Sequence, residues 1–408
     1  MFGGVQYILR GPAAQFADEP KKMSPSQQVA STSTEPRTPG PRIPILDGLR
    51  SLVILVLVVH YTDSVALAPP AKAVFYLVQL VAAVGLDVFF ALSGFLITGI
   101  LLDTKCATGY FRKFYLRRIL RIFPLYYGTL LVFLIVLPAV SNRFENERLT
   151  LSQHGYYWTY LVNLAESFDW HVAPSTGHFW SLGVEEQFYL LWPAVVYWCT
   201  RARLRAVCIA LLVVSPFIRL YLVHVLPETP AFHQLERFDV IAIGGLLALA
   251  FRTPDGLVAV RRWLRPAAYA ATVVMVGGFL VVPLLQAEAL FSSASAYVAA
   301  LVLLTTLQAG PQTRWSRVVG SWPLRRIGLY SYGIYVLHDP LADTIARFGF
   351  LDYPRQGTLQ ALVYCAKMVP IAVAAGALTW HLYEQPFLRL KSRFSYGRPR
   401  DVREAAAS

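Results

Sequence analysis

Long apolar runs, separated by short polar or basic stretches, recur along the chain from residue 45 onward. Most runs are close to the length at which an α-helix crosses the hydrocarbon core of a bilayer, about 20 residues. Because lipid offers the backbone no hydrogen-bond partners, an open chain crosses it as helices. The pattern therefore predicts an all-α, polytopic membrane helical bundle of about ten transmembrane helices. The predicted spans are 46–63, 85–102, 123–140, 179–199, 206–225, 237–251, 268–286, 292–309, 327–346 and 359–382.

Four other segments do not have the pattern of a membrane span. Residues 1–44 are rich in Pro, Ser, Thr and Gln, so we expect a disordered cytoplasmic tail without a secretory signal. Residues 391–408 are expected to form a cytoplasmic tail after a membrane domain at 45–390, with no further soluble domain. Residues 74–84 are an apolar lead-in to the second span or a separate interfacial helix. Residues 156–168 are too short to cross and are expected to be re-entrant or interfacial.

Composition agrees with a membrane protein and excludes several soluble classes. The chain is 56% hydrophobic and only 15% charged, whereas soluble domains contain about 25% charged residues. Its four cysteines form no CxxC pair, and no HExxH motif occurs. We therefore expect neither a disulfide framework nor a metal site.

The net charge of +13 is explained by membrane topology rather than by nucleic-acid binding. If the N-terminus is cytoplasmic, 28 of the 37 Lys and Arg residues fall in segments on the cytoplasmic side. Positive residues concentrate on that side in membrane proteins. The asymmetry therefore predicts an even number of spans with both termini in the cytoplasm, and no nucleic-acid partner.

Arg50 and His60 lie in the first apolar run, ILDGLRSLVILVLVVH, once Asp47 is assigned to its start. An ionisable side chain inside a bilayer costs a few kcal/mol or more, so such residues usually have a function. Ten helical steps separate the two by about 15 Å along the axis and roughly 80° around it. Histidine is the usual general base near neutral pH. The alternative is that His60 hydrogen-bonds between helices and Arg50 reaches lipid phosphates.

Arg117, Arg118 and Arg121 form a second group, in FYLRRILRIFPLYY at the edge of the third span. Arg118 and Arg121 are helical neighbours, three positions apart. Guanidinium groups bind phosphate and carboxylate through two parallel hydrogen bonds, so the cluster predicts an anion site at the cytoplasmic edge. The alternative is a plain positive-inside anchor.

The block HFWSLGVEEQFYLLWP, residues 178–193, is a third group. Its candidate residues are Trp180, Glu185, Glu186 and Gln187. Adjacent helical residues point about 100° apart, so one carboxylate can face a cavity while the other pairs with an arginine. The candidate partners are Arg219 and Arg237. The alternative is a buried structural ion pair.

Isolated polar residues on other spans complete the set. Asp87 heads the second span in GLDVFFALSGFLITGIL, where Ser93 and Gly94 give a small-residue surface for close helix contact. For this block we favour helix packing over catalysis. His338 lies near mid-membrane in YSYGIYVLHDPL. Structural roles are expected for two further acids, Asp239 and Glu384.

The order of these blocks is more informative than any one of them. LDGLR and a helix ending in His are followed by DVFFALSGFLI, RRILRIFPLYY, WSLGVEEQFYLLWP, RFD, SYGIYVLH and EQPF. This order resembles the acyltransferase-3 family of integral membrane acyltransferases over about residues 45–390. The resemblance implies a ten-helix core that moves acyl groups, commonly acetyl from acetyl-coenzyme A, onto hydroxyls of sugars and other extracytoplasmic or secreted acceptors. It also implies a bacterial plasma-membrane location and acyl-coenzyme A as a co-substrate, with no permanently bound cofactor.

The family's arginine and histidine pair in the first helix matches Arg50 and His60. The family usually has ten residues between the two, whereas nine intervene here and Tyr61 occupies the expected position. One residue of shift rotates a helical side chain by about 100°. A local bulge or a different helical register would restore the direction of His60.

The family's arginine motif matches Arg118 and Arg121, with Arg117 beside them, and its Glu-Glu-Gln block matches Glu185, Glu186 and Gln187. The resemblance implies that the coenzyme phosphates meet the arginines from the cytoplasm and that the histidine deprotonates the acceptor hydroxyl. The first-helix arginine would then stabilise developing negative charge, and one glutamate would orient the histidine or the sugar.

We therefore expect a membrane O-acyltransferase whose partners are the bilayer, acyl-coenzyme A and a carbohydrate or similar hydroxyl acceptor. A proton-coupled transporter or flippase is the alternative, because buried His, Glu and Arg also form proton relays. A non-enzymatic sensor or scaffold ranks last. The arginine cluster separates the first two, since a transporter has no need for a phosphate site on the cytoplasmic side.

Overall fold

The computed structural model describes residues 43–62, 71–168, 170–225, 237–281, 284–353 and 357–396. These residues form helices, and no strand occurs among them, which confirms the all-α prediction. The expected disordered tail, up to residue 42, and the chain after residue 396 lie outside the described residues.

Helices of very different length build the first half of the bundle. They are α1 (Ile45–Leu49), α2 (Val53–Thr62), α3 (Ala71–Thr104), α4 (Tyr110–Leu130), α5 (Leu137–Val140), α6 (Leu151–Trp158), α7 (Val162–Ser167) and α8 (Trp180–Trp198). A 3-10 turn, Arg50–Leu52, joins α1 to α2, and a π-helical turn, Leu131–Val136, joins α4 to α5. Two more 3-10 turns, Asn142–Glu147 and Pro174–Phe179, flank α6 and α7.

The second half contains mostly helices of 14 to 26 residues and two of only six residues. They are α9 (Arg201–Val225), α10 (Phe238–Phe251), α11 (Gly256–Val281), α12 (Leu284–Gln308), α13 (Arg314–Val319), α14 (Trp322–Arg347), α15 (Thr358–Thr379) and α16 (Gln385–Leu390). A π-helical turn, Trp380–Glu384, joins α15 to α16, and a 3-10 turn, Lys391–Phe394, follows α16.

Helix covers the described part of every predicted span except the end residues Cys199, Arg237 and Ala309. Within the described ranges, three helical stretches are both long and apolar enough to cross a membrane, namely Leu77–Thr104, Tyr110–Val140 and Thr358–Phe394. Phe238–Phe251 and Ser293–Gln308 are shorter apolar helices. The count of about ten spans is not confirmed by length and composition and stays a prediction.

The lead-in at 74–84 belongs to α3, which is continuous from Ala71 to Thr104, so the alternative of a separate interfacial helix is wrong. The physical reason is that this stretch is apolar except for Gln79 and contains no proline to interrupt the helix. In the predicted interfacial region, α6 and α7 have eight and six residues, too few to cross a bilayer.

The helix α10 lies at the centre of the bundle. Every residue from Asp239 to Ala250 is buried. The helix packs against α3, α9, α11 and α12. A helix that is apolar all round is stable only when neighbours cover every face, and α10 meets that condition.

The contact between α3 and α10 brings two backbones unusually close together. A Cβ on Gly94 would lie 2.0 Å from the carbonyl oxygen of Ile241, and one on Gly244 would lie 2.0 Å from the carbonyl oxygen of Ala91. Only glycine fits at both positions, as in other close helix crossings in membranes. This confirms the close-contact prediction for Gly94 and fixes the position of its neighbour, Ser93.

Gly94→Ala should therefore lower the free energy of unfolding by about 3 kcal/mol, because the added methyl group meets a backbone carbonyl that cannot move aside. The measurement is thermal unfolding of the purified protein in detergent. Gly277→Ala is the matched control, since a Cβ there would meet nothing within 4 Å. Equal unfolding temperatures for the two variants would contradict this account of the α3–α10 contact.

Candidate active site

A cavity of about 120 Å³ lies inside the bundle, between α2, α3, α4, α8 and α14. Its polar lining consists of Arg50, Ser93, Arg118, Arg121, Ser181, Glu185, Tyr189, Ser331, Tyr332 and Tyr335. We call it the central cavity. Its volume is several times what one water molecule needs, about 10–15 Å³ on the same measure, so a small acyl group fits.

A second cavity of about 600 Å³ lies toward the end of the bundle where α3 ends and α4 begins. We call it the vestibule. Its charged lining consists of Asp47, Arg50, Asp103, Arg121, Arg252 and Lys391. Arg50 and Arg121 line both cavities, so these two guanidinium groups lie at the junction between them.

Arg118 and Arg121 project from α4 toward the central cavity, one helical turn apart. Neither makes a hydrogen bond or an ion pair with another described residue. The guanidinium carbon of Arg118 lies over the ring of Tyr189, 4.6 Å from its centroid, which is a cation–π contact. Charge that is withdrawn from water is normally paired, so two half-buried guanidinium groups without a bonded partner among the described residues are suited to an anionic ligand.

Glu185 faces the central cavity and is held there by two hydroxyl groups. Ser93 Oγ donates to Glu185 Oε1 at 2.7 Å, and Tyr189 OH donates to Oε2 at 3.1 Å. Tyr189 therefore positions both Glu185 and Arg118. Sequence reasoning missed Tyr189, although it lies four residues after Glu185 and hence on the same helical face.

Glu186 points away from Glu185, as adjacent helical positions require. Its Oε1 is buried and has no hydrogen-bond partner in the described part of the chain. Arg118 is the cation whose charge acts most strongly on it. The prediction that one carboxylate faces a cavity is confirmed for Glu185, but the predicted pairing of the other with Arg219 or Arg237 is wrong.

Those two arginines pair with aspartates instead. Arg237 Nη1 lies 2.7 Å from Asp87 Oδ1, and Arg219 Nη2 lies 3.3 Å from Asp239 Oδ2. Ser295 donates to Asp87, and Arg219 donates to Ser293. The reason is proximity, because α3, α9, α10 and α12 pack together and neutralise these charges among themselves. Asp87 and Asp239 thus each lie in a buried ion pair between packed helices, in agreement with the structural roles expected for them.

Arg117 binds the C-terminal segment, whereas Arg118 and Arg121 face the central cavity. Its Nη1 donates to the carbonyl oxygens of Lys391 and Phe394, each at 3.3 Å, and its guanidinium carbon lies 5.7 Å from the ring centroid of Tyr396. It fastens the C-terminal segment to α4. Lys391, and not Arg117, lines the vestibule with Arg121, and it is too remote in sequence from the arginines of α4 to be found by motif spacing.

Arg50 begins the 3-10 turn between α1 and α2 and donates through Nη1 to Asp47 Oδ1 at 2.7 Å. The backbone of His60 lies in α2, and its side chain lies outside the described residues. Tyr61 is buried and donates to the carbonyl oxygen of His338 at 3.2 Å. Its ring also packs edge-on against Tyr364, at 5.6 Å between centroids.

His338 lies in a histidine cluster beside the central cavity. Its Nδ1 is 2.7 Å from the carbonyl oxygen of Tyr335, and its ring centroid is 4.6 Å from that of His178. His178 Nδ1 lies 3.5 Å from Asp339 Oδ2. Tyr335 connects the cluster to the cavity, because its hydroxyl lies 2.6 Å from Ser181 Oγ and also donates to the carbonyl oxygen of His178 at 2.8 Å. Sequence reasoning named His338 and missed His178.

Gln187 contacts the short helix α7 and the segment before it, whereas Trp180 packs against Phe90 of α3. Gln187 Nε2 donates to the carbonyl oxygen of Tyr160 at 3.0 Å and to Asn163 Oδ1 at 3.1 Å. The ring of Trp180 lies 6.4 Å from that of Phe90. Gln187 thereby ties α8 both to α7 and to the segment before it.

Glu147 anchors the region between α5 and α8 to α14. Its carboxylate accepts from Ser175 Oγ at 3.0 Å and from Arg347 Nη2 at 3.0 Å. Burial raises the pKa of Glu147 to about 7, while the hydrogen bond from Ser175 and the charge of Arg347 act in the opposite direction. This region is therefore held to the bundle by a buried polar contact.

Comparison with known proteins identifies the family. A family model described as an acyltransferase domain, Acyl_transf_3, matches residues 43–377. The chain belongs to the acyltransferase-3 family. No solved structure matches the chain.

Two acetyltransferases are among the similar proteins. The chain is 27% identical over 318 residues to peptidoglycan O-acetyltransferase OatA of Listeria monocytogenes, covering 73% of this chain and 49% of the relative. It is 23% identical over 364 residues to O-acetyltransferase OatA of Staphylococcus aureus, covering 84% of this chain and 57% of the relative. The chain thus spans about half the length of these curated relatives.

The two kinds of buried acid in this acyltransferase-3 chain should respond differently to neutralisation. Asp87→Asn leaves Arg237 buried without a counter-charge and should lower the free energy of unfolding by about 3–5 kcal/mol. Glu185→Gln keeps an oxygen that can accept from Ser93 and should cost less than about 1 kcal/mol. Thermal unfolding in detergent measures both, and a larger loss for Glu185→Gln would be inconsistent with these assignments.

Proposed function

We propose that this chain transfers an acyl group, most simply acetyl, from acyl-coenzyme A to a hydroxyl of a carbohydrate acceptor. Membership of the acyltransferase-3 family and similarity to relatives named peptidoglycan O-acetyltransferases support this reaction. The observation that carries the proposal is the unpaired Arg118 and Arg121 at a cavity inside the bundle. The comparisons give the transporter alternative no support.

The donor side of the proposal rests on charge and size. Coenzyme A carries phosphate groups at one end and a thioester at the end of a long flexible arm. Guanidinium groups bind phosphates through two parallel hydrogen bonds. The vestibule, about 600 Å³, offers room for the phosphate-bearing part beside Arg121, and the central cavity offers room for the acyl group.

The proposed topology places ten helices across the membrane and both termini in the cytoplasm. The vestibule lies at the end of the bundle where α3 ends. Lys391, the residue directly after α16, lies at the same end. The basic segments at this end are the ones assigned to the cytoplasm by the positive-inside rule. The vestibule would then open toward the compartment that contains acyl-coenzyme A.

The 3-10 turn at Arg50–Leu52 supports His60, rather than Tyr61, as the match to the family histidine. A 3-10 turn advances about 120° per residue instead of 100°, so three such residues add about 60° of rotation. With this addition the helical position of His60 comes to within roughly 20° of that of Arg50 around the axis. The turn thereby compensates for the missing residue in the spacing.

The chemistry then proceeds as a direct transfer. His60 takes the proton of the acceptor hydroxyl while the hydroxyl oxygen attacks the thioester carbonyl. Arg50, about 15 Å along the axis from His60, lies at the junction of the two cavities and positions the thioester arm on the donor side. Collapse of the tetrahedral intermediate breaks the carbon–sulfur bond, and the departing thiolate takes the proton from His60. Glu185, fixed by Ser93 and Tyr189, orients the reacting groups in the central cavity.

The acceptor is proposed to be a peptidoglycan sugar, by analogy with the names of the relatives. In the proposed topology the short helices α6 and α7 lie on the outer side, where such a sugar is found. The Glu147 contacts with Ser175 and Arg347 hold this region in one position over the bundle. A fixed outer region is suited to selecting one acceptor.

His60→Ala should lower the rate of acetyl transfer by about 100- to 10,000-fold, because the reaction loses its general base. The measurement is the O-acetyl content of cell-wall glycans, by mass analysis, in a deletion strain complemented with each variant. Tyr61→Phe is the matched control at the neighbouring position and should retain acetylation. Full acetylation with His60→Ala, or its loss only with Tyr61→Phe, would refute the assignment of His60.

A further inference from the structure

The C-terminal segment from Gln385 to Phe394, which comprises α16 and the following 3-10 turn, is part of the bundle. It lies beyond residue 377, where the match to the family model ends. Arg117 donates to two of its backbone carbonyls, and Tyr383, just before it, donates to the carbonyl oxygen of Pro124 at 3.1 Å. The segment is thus held against α4, the helix that carries Arg118 and Arg121.

Lys391 of this segment lines the vestibule together with Arg50 and Arg121. The charges that act most strongly on its ammonium group are four arginines: Arg121, Arg118, Arg117 and Arg50. Lys391 makes no ion pair with any residue that the structure describes. A lysine side chain is long and flexible, so a position facing like charges is unfavourable unless an anion lies between them.

The acids of the vestibule are already engaged elsewhere. Asp103 forms a bidentate salt bridge with Arg252, accepting from Nε at 2.7 Å and from Nη2 at 2.6 Å. Asp47 accepts from Arg50 at 2.7 Å. Glu384 does not line the vestibule and forms no ion pair with Arg121 in the described structure. Arg121 and Lys391 therefore face the same space without a bonded carboxylate among the described residues.

We propose that Lys391 completes the donor site by binding a phosphate group of the acyl donor opposite Arg121. This inference rests on the proposed function, since it takes the donor to be a coenzyme A thioester. An ammonium group binds phosphate as a compact charge with three donors, which complements the planar guanidinium of Arg121. The donor site would then combine the arginines of the family domain with a lysine supplied by a segment outside the matched residues.

The test is calorimetric binding of coenzyme A to the purified full chain in detergent, at one fixed salt concentration. Lys391→Met should weaken binding by about 10- to 100-fold, because a charged hydrogen bond to phosphate is lost. Lys391→Arg should restore most of the affinity. Arg393→Met is the matched control, because Arg393 is an exposed cation of the same 3-10 turn, and it should bind coenzyme A as the wild type does.

The outcomes separate this inference from the function on which it rests. Equal affinity of wild type and Lys391→Met would overturn the role of Lys391 and leave the donor assignment intact. Equal weakening by Arg393→Met would overturn it too, since any nearby cation would then suffice. No coenzyme A binding to the wild type would overturn both. If thermal unfolding shows that Lys391→Met does not fold, the coenzyme A affinity of Lys391→Gln is measured instead, and the same weakening of about 10- to 100-fold is expected.

Discussion

Unpaired positive charge inside a helical bundle is the constraint on which the functional account depends. Arg118 and Arg121 face a cavity without a hydrogen bond or an ion pair to the described residues, and Arg121 also borders the vestibule. Removing a charge from water costs several kcal/mol unless a partner compensates. Two such guanidinium groups stabilise the protein only when an anion binds to them. Their presence at the cavity is therefore better explained by ligand binding than by a contribution to folding stability.

The rest of the bundle makes this arrangement possible by neutralising its other charges. Asp87 and Asp239 pair with arginines between α3, α9, α10 and α12, and Asp103 pairs with Arg252. The glycine contact at Gly94 sets the position of α3, which in turn holds Ser93 against Glu185. Packing that looks purely structural therefore determines where the cavity charges lie.

Residue pattern predicted the helical class, the helical segments and the cavity-facing Glu185, because apolar periodicity and rare charges in apolar runs are local signals. It did not predict which arginine meets which acid, since that depends on which helices become neighbours. Arg237 therefore paired with Asp87 and not with a glutamate of α8. Lys391 escaped detection for the same reason, because only the folded chain brings it beside Arg121.

The most direct test is an electron cryo-microscopy structure of the full chain with coenzyme A bound. The account predicts phosphate oxygens at about 3 Å from the guanidinium group of Arg121 in the vestibule, with the pantetheine arm directed into the central cavity toward Glu185. A coenzyme bound elsewhere, with this arginine still free or paired with a carboxylate, would contradict it.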